Sequence, residues 1–468
     1  MDFFWKIAVD AGIISAALLF ATVLRHKLPF LQKFMVPNAL TAGFILLPIY
    51  NFVLPLIGLG QHRLGDLVYH LLNISFIAMS LRSPTPKAEH RERGSVWGMS
   101  TVILSQYAIQ ALLGLGLAFL FAITIAPQLN LAIGLTLPLG FALGPGQAYA
   151  IGKGWEAMGF PGAGSVGLTM AALGYLWACI VGVALVNIGT RKGWLTHRVQ
   201  TDTNMLTGLI SKDKDKPVAM RSTTDFEALD PLSFHTAIVA LTYLLSYLLL
   251  LGLTYLLSFA GKAGAELANN LWGINFIFSA VTALLVRFVL DKLKLGHYFD
   301  DDALSRISGF SIDFMVAAAI AAISLVFVAQ YWLPILVIST LGGIVTVYTV
   351  PWWSARIFRD HRFERMIMLF GVSTGTLSTG LALLRIVDPE FKTKVSRDYM
   401  LASGLTFLLA IPFILSINLP AKASQTGSLV PFWTMIGISA GYLIYCIVSY
   451  MLVAREKSFK NPGKLWID

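Results

Sequence analysis

The chain has 468 residues, of which 56% are hydrophobic and 13% charged, and its mean hydropathy is +0.71. Because a soluble domain carries roughly 25% charged residues, this composition excludes a water-soluble globular protein, a disordered chain and a disulfide scaffold. The net charge of +10 fits basic residues collected in loops on one side of a bilayer, and it does not require a nucleic-acid partner. We therefore expect an all-α polytopic membrane protein.

Apolar stretches of transmembrane length, about 20 residues, recur along the whole chain. We expect spans at residues 7–24, 36–57, 65–82, 96–125, 162–189, 234–260, 268–290, 307–328, 333–354, 399–419 and 430–453. The first of these lacks the basic flank of a secretory signal, so it is expected to be a retained span. Two further apolar stretches, 131–154 and 366–384, are too rich in Gly, Ser and Thr for a regular helix. These two are expected to be re-entrant hairpins or broken helices.

A strongly polar stretch divides the spans into two groups. It covers residues 190–233 and contains the alternating run Lys212–Lys216, which is typical of a solvated loop. The predicted organisation is a first transmembrane repeat at 1–189, a cytoplasmic central loop at 190–233, a second repeat at 234–420, and an extra span with a tail at 421–468.

The basic residues predict the orientation. With the amino terminus outside and each irregular stretch returning to the side that it enters, 29 Lys and Arg residues fall on the cytoplasmic side and five outside. Basic residues collect in cytoplasmic loops, so the amino terminus is expected outside and the carboxyl terminus in the cytoplasm. The second half then repeats the order of the first with inverted topology. Interrupted segments at matching positions of two inverted halves are typical of secondary transporters and point to the binding site.

The first irregular stretch contains the run Pro138–Gly152. Pro138 and Pro145 remove helical hydrogen bonds, while Gly144 and Gly146 permit backbone that other residues avoid. Within a bilayer, backbone freed in this way must be buried in protein or line a wet cavity. The predicted substrate- or ion-binding residues here are Gly144, Gly146 and Gln147; a kinked helix with small residues is the structural alternative.

The second irregular stretch carries five hydroxyl residues within seven positions, around Gly375. They are Ser373, Thr374, Thr376, Ser378 and Thr379. Hydroxyl and carbonyl oxygens are hard ligands that suit an alkali cation, and they can also bind a carboxylate. We expect these residues and Gly375 to bind substrate or ion, although hydroxyls that bond back to the preceding turn are an alternative.

Ionisable residues within the spans are few. Asp313 begins a long apolar run and is expected either to supply a negative charge for sodium or to sit favourably at a helix amino terminus. Asp10 and Asp66 are expected near the outer interface. Asn38 and Thr41 open the second span, where an entry role is favoured over contact with the transport path.

Motifs for catalysis are missing from the sequence. The two cysteines, Cys179 and Cys446, lie in apolar runs without metal-ligand spacing. Only His70 and His235 touch the predicted spans, and neither has a partner at ligand spacing. There is no phosphate-binding loop and no dinucleotide fingerprint. We therefore expect no enzyme, no resident cofactor and no nucleic-acid partner.

The segments Leu135–Gly174 and Gly371–Arg385, together with the span around Asp313, resemble the bacterial sodium/glutamate symporter family. This resemblance implies two inverted halves, a homodimer and uptake of glutamate driven by sodium. It assigns Gly144, Gly146 and Gln147 to a first motif, and it assigns Ser373, Thr374, Gly375 and Thr376 to a second.

The sequence thus predicts a multi-pass protein of the bacterial inner membrane that transports glutamate or a related organic anion by alternating access. Sodium is the expected coupling ion, and its predicted ligands are Asp313, Ser373 and Thr376. A proton-coupled carrier of another small organic acid is the alternative on the same fold. A channel is a further alternative.

Overall fold

The computed structural model describes residues 3–34, 36–82, 94–195, 228–259, 271–388 and 393–466, with single positions 261, 264 and 268. In this described part the chain is helical and has no strand. Residues 196–227 of the predicted central loop, with the run Lys212–Lys216, lie outside it.

The helices before the central loop include one that breaks at Gly144. Their bounds are α1 Phe3–Lys27, α2 Pro29–Lys33, α3 Asn38–Pro48 with its continuation to Ile57, α4 His62–Ser80, α5 Ser95–Thr124, α6 Thr136–Pro138, α7 Pro145–Glu156, α8 Ala163–Leu176 and α9 Gly182–Arg191. A 3-10 turn, Leu131–Leu135, precedes α6 and a π turn, Leu139–Leu143, follows it. Another π turn, Trp177–Val181, joins α8 to α9.

The helices after the central loop include a pair separated by only three residues. Their bounds are α10 Pro231–Ser258, α11 Asn275–Lys292, α12 Asp301–Ala321, α13 Leu325–Gln330, α14 Trp332–Ile357, α15 Arg362–Ser373, α16 Leu377–Val387, α17 Val395–Leu415, α18 Leu419–Thr426 and α19 Val430–Ala454.

Nine helical stretches of the described chain are long and apolar enough to cross a membrane. They match nine of the predicted spans. The other two predicted spans are also helical, as α4 and α11, but they are more polar: α4 contains Arg63 and Asp66, and α11 contains Arg287 and Asp291. Both pack against neighbouring helices and against each other. The chain is therefore an all-α, multi-pass membrane protein.

The outward face of α10 illustrates the lipid-facing surface. Leu241, Leu244, Leu248 and Leu251 are each about half exposed. A soluble monomer rarely exposes a continuous apolar face of this kind, whereas lipid tails accept it without cost. The polar residue Ser246 of the same helix faces inward, beside Ser279 of α11 (3.1 Å between the hydroxyl oxygens).

The predicted span 307–328 is wrong at its end. Helix α12 begins six residues earlier, at Asp301, and stops at Ala321. Asn51 donates to the Ile323 carbonyl oxygen (2.9 Å) and accepts from the Leu325 amide (3.1 Å), while Ser165 accepts from the Ser324 amide (3.2 Å). These side chains from distant segments satisfy the backbone groups that a continuing helix would have paired.

The two ends of the bundle differ in charge. Helices α1, α9 and α14 run toward one end, and their last turns carry Arg25, Lys27, Arg191 and Arg356. We call this the basic end. Cationic side chains in these positions also complement the negative carboxyl ends of the helix dipoles. Helices α3, α5 and α12 finish at the opposite end.

Candidate functional site

The second irregular stretch folds as a helical hairpin, called here the second hairpin (residues 362–387). Its arms are α15 and α16, which pack against each other. Gly371 and Gly380 face each other so closely that a Cβ on Gly371 would lie 2.8 Å from the Gly380 Cα. The chain therefore turns back at residues 374–376 and does not cross the bundle.

Hydroxyl groups hold the turn of this hairpin. The Thr379 Oγ1 accepts a hydrogen bond from the Thr376 amide (2.8 Å), and the same hydroxyl is 2.8 Å from the Gly371 carbonyl oxygen. Thr374 donates its hydroxyl to the Phe370 carbonyl oxygen (2.8 Å). The Thr374 hydroxyl thus bonds back to the preceding turn, as the structural alternative predicts, and the Thr379 hydroxyl is occupied by contacts within the hairpin. The side chain of Ser378 lies outside the described part.

The first irregular stretch is also a hairpin, called here the first hairpin (residues 131–156). It turns at Gly144, whose φ of 99° and ψ of 174° suit glycine alone. Both ends contact one segment after α17: the Leu131 amide donates to Ser424 Oγ (3.0 Å) and Trp155 Nε1 donates to Asn418 Oδ1 (2.8 Å). The stretch therefore begins and ends at the same end of the bundle.

Small residues bring the first hairpin close to its neighbours. Gly134 packs directly on the backbone of Gly114 in α5, and a Cβ on Gly140 would lie 2.6 Å from the Ala171 amide nitrogen of α8. On the second arm, a Cβ on Gly152 would lie 2.7 Å from the Ala163 carbonyl oxygen. Contacts between small residues are what allow helices to associate tightly in a bilayer, where the hydrophobic effect does not drive them together.

The tips of the two hairpins meet inside the bundle. A Cβ on Gly144 would lie 3.0 Å from Thr376 Cγ2 and 3.9 Å from the Gly375 carbonyl oxygen. Gly174 of α8 packs against the Thr374 carbonyl oxygen beside this contact. The two motifs that the sequence singled out, more than 200 residues apart, are therefore neighbours in space.

Four buried side-chain oxygens at this contact lack hydrogen-bond partners among the described residues: Ser373 Oγ, Gln110 Oε1, Tyr175 Oη and Thr376 Oγ1. Within the part of the chain that the structure describes, no group bonds to Ser373 Oγ or to Gln110 Oε1, although both residues are at most 1% exposed. The Gln110 amide group is fixed, because its Nε2 donates to the Ser373 carbonyl oxygen (3.0 Å) and to Thr346 Oγ1 (3.1 Å). Leaving a buried polar atom unpaired costs about 1–3 kcal/mol, so each such atom calls for an explanation.

Tyr175 and Asp313 stand beside the tips. Tyr175 is 2% exposed, and a Cβ on Gly375 would lie 3.2 Å from its ring. Its hydroxyl is within electrostatic range of Asp313 and near Thr376. Asp313 itself is exposed and, among the described residues, makes no hydrogen bond or ion pair. The structure thus places Ser373 and Thr376 together at the tip. Asp313, on α12, lies nearby but forms no hydrogen bond with either residue.

Two helix amino termini converge on the tip contact. Helix α7 starts at Pro145, immediately after Gly144, and α16 starts at Leu377, immediately after Thr376. The first amide groups of a helix have no partner within it and carry partial positive charge. Together they favour a negatively charged group at the contact, while the unpaired oxygens suit a small hard cation.

The remaining predicted residues of the first motif take different positions. Gln147 is 5% exposed, and its Oε1 lies 3.6 Å from the position of a Cβ on Gly144. Gly146 leaves no room for a side chain, because a Cβ there would lie 2.6 Å from Leu72 Cδ1 and 3.0 Å from Met315 Sδ. Gly146 therefore serves close packing against α4 and α12.

Asp10, which the sequence places near the outer interface, is buried within the protein at 4% exposure. Its carboxylate pairs with Arg63 (Nε to Oδ2, 2.9 Å) and accepts from the Tyr50 hydroxyl (2.8 Å). The sequence could not reveal this pairing, since Tyr50 and Arg63 are 40 and 53 residues from Asp10 along the chain and meet it only through helix packing. Asp66 is exposed, and α3 begins at Asn38 as an entry role predicts.

The sequence analysis did not identify a row of hydrogen-bonded polar side chains between α5 and α14. Gln106 Oε1 accepts from Thr349 Oγ1 (3.1 Å), and one turn further Gln110 bonds to Thr346. Gln106 and Gln110 are four residues apart in a helix that is otherwise strongly apolar, which places them on one face. This four-residue spacing was the sequence signal that could have revealed the row of polar side chains. Intramembrane polar residues on a shared face commonly turn inward.

Comparison with known proteins gave no identification: no family model, no curated protein and no solved structure matches the chain. The class that the fold defines is an all-α, multi-pass membrane protein with two helical hairpins whose tips meet.

Proposed function

We propose that the chain is a secondary active transporter that moves glutamate or a related organic anion together with sodium. The observation that carries the proposal is the pair of buried, unpaired oxygens of Ser373 and Gln110 at the contact between the hairpin tips. A ligand that fills this position repays the cost of leaving them unpaired. The resemblance to the sodium/glutamate symporter family supports the same function, and it extends the proposal to a homodimer.

The arrangement of helices supports two halves of inverted topology. Helix α3 of the first half packs on α12 of the second, and its counterpart α11 packs on α4. In the same way the neighbours α1 and α3 correspond to α10 and α11, and each half contributes one hairpin. An exchange of this kind is what a two-fold axis in the membrane plane produces. Alternating access then follows if one group of helices moves against the other around the tips.

The basic end is proposed to face the cytoplasm. Lys and Arg accumulate in cytoplasmic loops, and the ends of α1, α9 and α14 carry the basic residues named above. The second hairpin would then enter the bilayer from the cytoplasm and the first from outside, in a bacterial inner membrane.

The charge distribution at the tips supports separate binding groups for the substrate and for sodium. The amino termini of α7 and α16 are proposed to bind the carboxylate of the substrate, with Gln147 as a neighbouring polar group. Ser373 Oγ, Gln110 Oε1 and carbonyl oxygens of the tip are proposed to bind sodium. Coupling arises if sodium lowers the free energy of the substrate-bound site, because each ligand then raises the affinity of the other by the same factor.

Uptake into proteoliposomes tests the proposal. Purified protein is reconstituted, and accumulation of radiolabelled amino acids and dicarboxylates is followed with an inward sodium gradient, with a proton gradient and with neither. We expect concentrative uptake of at least one anion with the sodium gradient only. Equilibration without accumulation would indicate a channel. If no compound accumulates under either gradient, the symporter proposal is wrong.

Proton coupling is a second candidate, favoured by Asp313. This exposed carboxyl group lies beside the tips, and in the described chain it has no ion-pair partner that fixes its charge. Uptake that follows a proton gradient and is abolished in Asp313→Asn would favour the proton-coupled carrier. Sodium-driven uptake that persists in Asp313→Asn would exclude Asp313 as the coupling residue.

A further inference from the structure

A narrow crevice borders the second hairpin near the carboxyl end of α1. One wall is the connection between α2 and α3, at Phe34 and Pro37, and the other is α16, at Thr379 and Ala382. Cys179, in the π turn between α8 and α9, contributes to the lining. No lining residue is acidic. The crevice therefore lies between residues of the α2–α3 connection and one arm of the second hairpin.

The inner end of the crevice adjoins the tip contact. Thr379 lines the crevice, and its hydroxyl is bonded to the Thr376 amide (2.8 Å). Thr376 in turn touches Gly144 of the first hairpin. Only one turn of helix thus separates the crevice from the converging helix amino termini. A small solute that reached the end of the crevice would be next to the proposed site.

A guanidinium group stands beside the crevice wall. Arg25 lies in the last turn of α1 and is half-buried. Its Nη1 donates to the Val36 carbonyl oxygen (3.3 Å), which holds the side chain against the α2–α3 connection. The guanidinium is close enough to the Cys179 sulfur to interact with it electrostatically. A positive charge in a low-dielectric cleft raises the local concentration of anions.

We propose that this crevice is the passage between the tip site and the basic end, and that Arg25 guides the carboxylate of the transported anion through it. The inference rests on the proposed transport function and adds the route and the residue that selects charge. Passage requires α16 and the α2–α3 connection to separate, because the crevice is closed to a solute of that size here. Arg25 is a positioning residue, since it does not touch the tip site itself.

The two native cysteines provide a direct test. Cys179 lines the crevice, whereas Cys446 is buried in α19, so Cys446→Ala leaves one thiol that reports on the passage. In nanodiscs, where both ends are accessible, reaction of Cys179 is followed by mass spectrometry. Two reagents of similar size are compared, the anionic sulfonatoethyl methanethiosulfonate and the cationic trimethylammonioethyl methanethiosulfonate. Each rate is divided by the rate with free cysteine.

We expect the anionic reagent to react about tenfold faster than the cationic one, in line with electrostatic steering into a charged cleft. Arg25→Gln should abolish this preference, while Arg25→Lys should retain most of it. Lys27→Gln, an exposed neighbour in the same turn, is the matched control and should leave the preference unchanged. In uptake assays Arg25→Gln should raise KM about tenfold with a smaller change in kcat.

Two results would overturn the inference: no reaction of Cys179 with either reagent, or a charge preference that Arg25→Gln leaves intact. If the protein shows sodium-dependent uptake but Cys179 reacts equally fast with both reagents, the proposed passage is wrong and the transport proposal is unaffected. Conversely, a preference that depends on Arg25 in a protein that accumulates no anion contradicts the transport proposal, and the crevice then stands as an anion-binding cleft.

Discussion

The two hairpins share a shape but are held in different ways. Both arms of the first hairpin are fixed, through Gly134 and Gly140 on the first arm and Gly152 on the second, and both of its ends bond to the segment 418–424. In the second hairpin an ion pair anchors the first arm. Arg365 of α15 forms an ion pair with Asp398 of α17 (2.7 Å), whereas the returning arm, α16, borders the crevice.

This difference indicates which part moves first. Close backbone contacts such as Gly134 on Gly114 leave no room for sliding, because interiors are close-packed and respond to strain as a unit. An arm that borders a crevice has fewer contacts to break. We therefore expect the second hairpin, through α16, to open more easily than the first, and four variants test this contrast.

Arg365→Met should have the largest effect, because it removes the anchor of α15. Arg365 is 1% exposed and Asp398 is 8% exposed, with Ser95 as a further donor to the carboxylate (3.1 Å). Breaking a buried ion pair on one side costs about 3–5 kcal/mol, so the melting temperature in detergent should fall markedly. The double variant that combines Arg365→Met with Asp398→Leu should recover much of the lost melting temperature, because no buried charge is then left unpaired by the first substitution. Lys394→Met, at an exposed position, is the control and should leave the melting temperature unchanged. An equally unchanged melting temperature in Arg365→Met would contradict an anchoring role.

Gly114→Ala tests the tight packing of the first hairpin. The new methyl group would meet the Gly134 carbonyl oxygen, and overpacking of this kind costs about 1–3 kcal/mol. Gly116→Ala is the matched control on the same helix, since nothing lies within 4 Å of a Cβ there, and it should be neutral or slightly stabilising. Equal thermal stability of the two variants would show that the first hairpin is not held by this contact.

Ser373→Ala separates a binding role from a structural one. If the unpaired Oγ serves only structure, its removal leaves sodium dependence unchanged and relieves an unsatisfied polar atom. We expect instead that the sodium concentration for half-maximal uptake rises about tenfold, equivalent to about 1.4 kcal/mol, with no loss of thermal stability. Ser105→Ala is the control, because this buried hydroxyl is already bonded to the Val102 carbonyl oxygen (2.7 Å).

Asn418→Leu should have the smallest effect. It removes the acceptor of the Trp155 indole, one of the two bonds that hold the ends of the first hairpin. A single hydrogen bond contributes about 0.5–1.5 kcal/mol net, so a modest fall in melting temperature is expected, with Gln425→Leu, exposed on the same segment, as control. If Asn418→Leu lowers the melting temperature more than Arg365→Met does, the contrast drawn between the two hairpins is wrong.

Much of the fold followed from composition and glycine spacing, and less of the site did. The interruptions predicted at 131–154 and 366–384 are the two hairpins, because Gly and Pro act locally and need no partner to break a helix. Gln110, in contrast, looked like one polar residue in an apolar helix. Its importance depends on Ser373, 263 positions away, and a single sequence carries no signal for that contact.

The sequence by itself determined that the protein is a helical, multi-pass membrane protein and where its helices are interrupted, since apolar length and backbone propensity are local properties. Only the tertiary structure decided that both interruptions turn back, that their tips meet at Gly144 and Thr376, and that Asp10 is a paired, buried charge. Those features depend on which helices pack together. In a bilayer that choice rests on small-residue contacts and interhelical hydrogen bonds, which arise between segments far apart in the chain.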